Sequence, residues 1–524
     1  MDAESLGDSI DANALSHNPD SKIGGIRVGM NQALVPDSAS DHPLVLSHEE
    51  DQPLCDPSVR LEPAQALTVM NGYESILISN QIKEPRKLII DRVNHGLVMS
   101  SKNAVYSLRM DKCGNVDAVK ILDLLDNNTL FEKDEMLAHG LALDKNYIYI
   151  ATTNNIYQFP YSDGQHSPLE NGRKVVTNIN PGNKDAMPDV AIDPFGHAFI
   201  PRSGILNLEP ESISKMDQSN AIIKKFNFRN IPENGFEYEK DGLVFAYGTN
   251  SHGSMAFDAQ ARLWGIDLPF DTIQRSDMGG DISQHGPAEE INLYGASAGH
   301  YGFPYCFTEY DLSSYTAQSG GLGAQWAHPS YSNGSVDMDE FCRQHENNQQ
   351  PAIPLSPGLK AAGLYFYMGT GCSVGNAQTL GTSVGLPCNW TDTPIVAYRG
   401  NTGRSEGHSV VHLPFDDLGH KPRWDKPAEV ILQQEQPCQS EGCFTPVGVA
   451  VDDYGRILVG SEETNEIYMV RRIFSNTAAQ ALTDIANKKE AIKEAAMEAS
   501  EEETSGGSDE ASTETEADSS DADF

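Results

Sequence analysis

The chain is predicted to be all-β: a six-bladed β-propeller with a disordered N-terminal leader and an acidic C-terminal tail. Three observations carry this. From about residue 70 to residue 472, short β-branched runs alternate with Asp/Gly turns, the signature of hairpins. One unit recurs along that stretch: small or apolar residues, an aspartate, a turn, then an alternating strand. Finally, the stretch divides into six units of roughly 65 residues, each long enough for four strands and generous loops, and four-stranded repeats of this kind build propellers.

The units read LIIDRVNHGLVMSS around Asp91, GLALDKNYIYIATT around Asp144, VAIDPFGHAFIPR around Asp193, SMAFDAQARLWGID around Asp258 and GVAVDDYGRILVGSEETNEIYMV around Asp452. The aspartate opens each turn and Gly or Asn takes the position with positive φ. Successive aspartates lie 53, 49, 65 and 194 residues apart, so the last gap has room for two weaker units. The Ser/Gly/Gln/Asn-rich stretch Asp311–Pro357 is expected to be an elaborated loop over one face. A large β-sandwich is the competing all-β architecture.

Outside this region the composition changes. Residues 1–65 are polar with little periodicity and read as a disordered leader. Residues 66–475 form the propeller, and 476–524 a helical, then disordered, acidic tail. The net charge of −38 excludes nucleic acid as a partner, because phosphate binding needs a basic surface. It also requires any anionic ligand to be met by a few locally placed cations. No apolar run reaches the ~18 residues of a membrane span.

Eight cysteines and no Cys-x-x-Cys pair argue against zinc ribbons and for disulfides, with Cys306–Cys342, Cys372–Cys388 and Cys438–Cys443 as the expected pairs. Glycosylation sequons begin at Asn127, Asn333 and Asn389. Together these point to a secreted or luminal protein, although residues 1–20 contain no recognisable signal-peptide core.

Gly279–Cys306 is the most informative segment for function. It is dense in Gly, Asp, Glu and Asn and ends in Tyr-Gly-Phe-Pro-Tyr-Cys, a loop suited to hard cations and polyhydroxylated ligands. Its run of Gly-Gly-Asp-Ile, Pro-Ala-Glu-Glu-Ile-Asn and Tyr-Gly-Phe-Pro-Tyr-Cys resembles the soluble quinoprotein sugar dehydrogenases. These are the glucose/sorbosone and pyranose dehydrogenase-like propellers that use pyrroloquinoline quinone (PQQ). Five further segments extend the likeness over about residues 80–472: EPRKLIIDRVNHGLVMSS, LAHGLALDKNYIYIATTNNIYQF, YGTNSHGSMAFDAQARLWGID, VAYRGNTGRSEGHSVVHLPF and TPVGVAVDDYGRILVGSEETNEIYMVRR.

The resemblance implies a PQQ-dependent oxidoreductase acting on an aldose, pyranose or sorbosone-like sugar. It implies PQQ and Ca2+ as cofactors and an external electron acceptor, either a haem protein or a soluble one, since the chain has no Cys-x-x-Cys-His motif. His139 is the candidate base, because imidazole titrates near neutrality. Arg86 and Arg404 are candidate clamps for the PQQ carboxylates, with Asn250 and Lys360 as further cofactor-binding residues. Asp281, Glu289 and Glu290 are the candidate calcium ligands. Asn292 and Tyr301 are expected to hold the loop, and His252, His285 and His300 to be structural.

The family's pattern is altered at four positions: Thr249 and Thr445 stand where it has Arg, Gly358 where it has His and Thr402 where it has Trp. These support an alternative, a catalytically silent propeller that binds carbohydrate or protein. A calcium-dependent lactonase on another six-bladed scaffold is a third reading.

Overall fold

Six innermost strands set the architecture: Pro85–Ile90, Leu137–Leu143, Ala191–Ile192, Ser251–Phe257, Ala361–Phe366 and Pro446–Val451. Each packs on the next around an axis, and the last returns to the first. The structure, a computed structural model, describes residues 55–473 apart from 126–129, 133–134, 184–185, 203–220, 271, 296–298, 318, 332–336, 371–384, 402–406 and 417–420. Most of the predicted leader and the whole predicted tail therefore lie outside the described residues.

Each inner strand leads an antiparallel sheet running outward, giving six blades as expected. In blade 6 the outermost strand is Tyr73–Ser79, from the opposite end of the chain, paired with Glu466–Arg472. The ring is thus closed by hydrogen bonds between its two ends. Leu67–Val69 likewise extends blade 5 on Glu429–Gln434. Just ahead of it the chain is pinned to its neighbours: Cys55 is disulfide-bonded to Cys113, a pair not anticipated from the sequence. Arg471 binds the Cys55 carbonyl and the Asp56 and Glu74 carboxylates.

The gap of 194 residues between Asp258 and Asp452 holds one blade, not two. From Tyr367 to Thr391, between the inner strand of blade 5 and Pro394–Tyr398, the sequence has no aspartate, which is why this repeat was invisible. The remaining length is an excursion inside blade 4. After Glu289–Tyr294 the chain leaves the sheet and forms a short hairpin, Cys306–Thr308 with Gln325–Ala327, and a helix, Met338–Arg343. It then returns as the blade's outermost strand, Ile353–Leu355. The Cys306–Cys342 disulfide ties hairpin to helix. Cys438–Cys443 also forms as expected. Cys388 is disulfide-bonded too, while Cys372 lies outside the described residues.

The recurring aspartates turn the chain by a common device. One carboxylate oxygen of Asp91 accepts the amides of Val93 and His95. Asp193, Asp258 and Asp452 accept the amides two and four residues on in the same way. The second oxygen takes a side-chain donor: Tyr161 Oη for Asp91, Trp264 Nε1 for Asp258, Arg456 Nε for Asp452. A short side chain that hydrogen-bonds its own downstream backbone is what such a turn needs.

Close packing at the axis explains a second recurrence. Gly140, Gly253, Gly363 and Gly448 each sit within an inner strand, where the blades converge. A Cβ on Gly140 would lie 2.7 Å from Val190 N, and one on Gly448 would lie 2.3 Å from Leu88 Cδ1 and 3.0 Å from Arg86 O. Gly140→Ala should therefore destabilise the fold by roughly 1–3 kcal/mol, read as a lower midpoint in denaturant unfolding with an unchanged slope. The change pushes on backbone rather than on a movable side chain.

Candidate active site

The starts of the inner strands and the ends of the second strands face the same end of the ring, as the pairs Pro85↔Ser100, Leu137↔Thr152 and Pro446↔Ser461 require. Side chains there tie all six blades together, some across the axis rather than to a neighbour. Arg86 of blade 1 reaches Glu462 of blade 6, and Arg399 of blade 5 reaches the same carboxylate. Glu289 of blade 4 accepts the amides of Lys360 and Ala361 at the start of blade 5. Lys87, His139, Asp189 and Ser254 join blades 1 to 4. All but one of the described sequence-predicted site residues lie at this mouth.

The cations there are set against carboxylates. Arg86 grips Glu462 Oε1 through Nη2 at 2.5 Å and Nε at 3.0 Å. Arg399 meets Oε2 at 3.1 Å, and its buried Nε has no partner among the described residues. One carboxylate thus holds two guanidiniums side by side. Lys360 is exposed and sits at φ 52°, its backbone held by Glu289. Arg404, the second expected clamp, lies outside the described residues. Arg399 was missed in the sequence, where its only signal is its place in the Tyr-Arg-Gly exit of a strand.

His139 is buried beside the axis. Its Nε2 lies 2.9 Å from Ser254 Oγ, which also accepts Lys87 Nζ at 3.1 Å. Lys87 in turn faces both oxygens of Asp189, at 3.1 and 3.4 Å, and Asp189 accepts the amides of Val190 and Met255. Burial first, then the charges of Lys87 and Arg86, hold the imidazole well below its ordinary pKa, so it is neutral and able to accept a proton at neutral pH. Burial pushes Asp189 up, while Lys87 and the two amides oppose the shift. The sequence did not single out Lys87, Asp189 or Ser254.

The three expected calcium ligands are not brought together. Glu289 and Glu290 are consecutive in a strand and so point to opposite faces. Glu289 caps the start of blade 5. Glu290 turns to Asn292, whose Nδ2 bridges Glu290 and Asp267 at 3.1 and 3.0 Å. Asp281 is exposed on a separate small hairpin and bonded to Ser283. Among the described residues no group of three or more His, Cys, Asp or Glu is placed to hold a metal. Asn250 is buried and donates to the Leu268 carbonyl at 2.9 Å, clipping two strands of blade 4. With Asp267 and Glu290 it lines a cavity of about 20 Å³, room for a water molecule or two. Burial, with mutual repulsion, raises Asp267 to about 8, and burial raises Glu290 to about 7.

The model of the TrAA12-like family matches residues 67–473. The chain belongs to this family. It is 23% identical over 419 residues to the pyrroloquinoline quinone-dependent sugar dehydrogenase of Hypocrea jecorina (strain QM6a), across 77% of this chain and 88% of that protein. In fold it is similar to the Trichoderma reesei Carbohydrate-Active Enzymes Family AA12 protein in its iodide structure, with a TM-score of 0.65 and 22% identity over 79% of this chain and all of that one. It is equally similar to the holo pyranose dehydrogenase PQQ domain from Coprinopsis cinerea, with a TM-score of 0.65 and 19% identity over 80% of this chain and all of that domain. TrAA12-like membership agrees with the resemblance found in the sequence and with the observed six-bladed propeller.

The buried titratable groups predict a bell-shaped pH dependence of stability. His300 and His328 are lowered by burial to about 4 and His412 to about 3, and His139 is lowered as well. Their contribution is complete above the ordinary histidine pKa of about 6.5 and is lost as pH falls towards 4. Asp267 and Glu290 act oppositely: their contribution is complete below about pH 4 and is lost as pH rises through 7 to 8. Calorimetry in EDTA should find maximal thermal stability at roughly pH 6–7. Asp267→Asn should flatten the alkaline side and leave the acid side in place.

Proposed function

We propose that this TrAA12-like protein is a PQQ-dependent dehydrogenase that oxidises an aldose or pyranose sugar at its anomeric hydroxyl. The observation that carries the reading is a neutral, buried imidazole at a ring mouth where two guanidiniums, Arg86 and Arg399, share one carboxylate. The names of its relatives point the same way.

The residues present fit the cofactor. PQQ is a tricarboxylate, and Arg86, Arg399 and Lys360 are the cations that would hold it, with Arg399 Nε already lacking a partner among the described residues. When bound, PQQ supplies a quinone able to take up a hydride. His139 would accept the proton that the sugar hydroxyl gives up. Burial at the axis keeps bulk water from that imidazole, and Lys87 and Arg86 keep it from picking up a proton before substrate arrives. Calcium is kept in the proposal as a second cofactor, and titration with and without it tests that. Electrons then pass to an external acceptor.

A secretory setting is also proposed. Disulfides tie Cys55 to Cys113, Cys306 to Cys342 and Cys438 to Cys443, and the sequon residue Asn389 is exposed in a short turn. The silent-propeller reading draws on Thr249, whose buried hydroxyl has no partner among the described residues where the family places Arg.

Calorimetric titration of the full-length protein with PQQ, with and without Ca2+, decides between the two. Saturable binding weakened on the order of 10-fold by Arg86→Ala or Arg399→Ala is expected, since each removes a charge-assisted hydrogen bond to a carboxylate. His139→Gln should bind PQQ normally yet lose roughly 10²–10⁴ in sugar turnover. Absence of PQQ binding under both conditions leaves the binding module as the account.

A further inference from the structure

The hydrogens in the His139 cluster can be counted. Lys87 Nζ carries only donors. It therefore uses one lone pair of Ser254 Oγ, 3.1 Å away, and cannot receive that hydroxyl's hydrogen. Asp189 is occupied by Lys87 and by the amides of Val190 and Met255. Among the described residues the one acceptor left for the Ser254 hydroxyl is His139 Nε2, at 2.9 Å. Were Nε2 protonated instead, the buried hydroxyl hydrogen would have no acceptor, the arrangement folded proteins avoid.

We propose that Lys87, acting through Ser254, fixes His139 as its Nδ1–H tautomer and leaves Nε2 as the ring nitrogen that accepts a proton. Lys87, Asp189 and Ser254 are then positioning residues: Asp189 orients Lys87, Lys87 orients the hydroxyl, and the hydroxyl sets the tautomer. What this means for the sugar proton rests on the sugar-oxidising reading: Nε2 is the nitrogen on which His139 would take it up, while Nδ1 keeps its hydrogen.

The tautomer can be read without turnover. In full-length protein labelled with 15N-histidine, long-range 1H–15N correlation at pH 7 distinguishes the two ring nitrogens, and His139→Gln assigns the signals by their loss. An Nδ1–H pattern supports the proposal; an Nε2–H pattern or an imidazolium overturns it. Ser254→Ala should release the lock to a mixture of tautomers, and Ser254→Thr, which keeps a hydroxyl, should restore it. A pure Nδ1–H tautomer surviving in Ser254→Ala overturns the role of Lys87 and Ser254. Lys87→Met should act like Ser254→Ala where it folds, and the serine pair decides where it does not. If PQQ and sugar are turned over, Ser254→Ala should lower kcat on the order of 10²-fold with KM little changed, and Ser254→Thr should recover most of it. Failure to bind PQQ with the tautomer intact would count against the enzyme reading and not against the lock.

Discussion

Everything at the candidate site depends on how closely six strands approach one axis. Gly140, Gly363 and Gly448 let neighbouring blades come within contact where any side chain would collide with the next blade. Because the strands converge there, short side chains can span from blade to blade. A serine on blade 4 touches a histidine on blade 2 and a lysine on blade 1. The same convergence removes water, so charge is held by opposite charge: Lys87 against Asp189, and Glu462 between two guanidiniums. Buried pairs of this kind contribute little net stability. Their value is that each side chain has one arrangement that satisfies its donors and acceptors.

Much of the fold was legible because it is local. An aspartate two and four residues ahead of the amides it receives is written in consecutive sequence, and so is an inner-strand glycine. Blade 5 escaped because the sequence after its inner strand has no aspartate until Asp392. The blade 4 excursion escaped because Ile353–Leu355 rejoins its sheet far downstream of Glu289–Tyr294, and only distant pairing reveals it.

The site was legible in part, for the same reason. His139 and Arg86 were found through motif likeness and do sit at the mouth. Their partners were not, because Lys87, Asp189, Ser254, Arg399 and Glu462 come from five different blades and carry no signal as isolated residues. The expected calcium ligands were grouped by nearness in sequence, which in a strand is not nearness in space. Adjacent strand residues face opposite ways, so Glu289 braces blade 5 while Glu290 enters the carboxyl pair with Asp267. Asn250, read as cofactor-binding, donates to the Leu268 carbonyl and so clips two strands, a contact only the fold reveals.

The strand Tyr73–Ser79 has a further consequence, for synthesis. It leaves the ribosome about 400 residues before Glu466–Arg472, the strand it must pair with. Until the last blade emerges, it is an unpaired edge with nothing to add to, open to the wrong neighbour. Cys113 belongs to blade 1, which stands next to blade 6 in the ring, and its bond to Cys55 forms within the first part of the chain. That bond moors the early strand beside the place its partner will occupy, so the last step of assembly is a short-range capture.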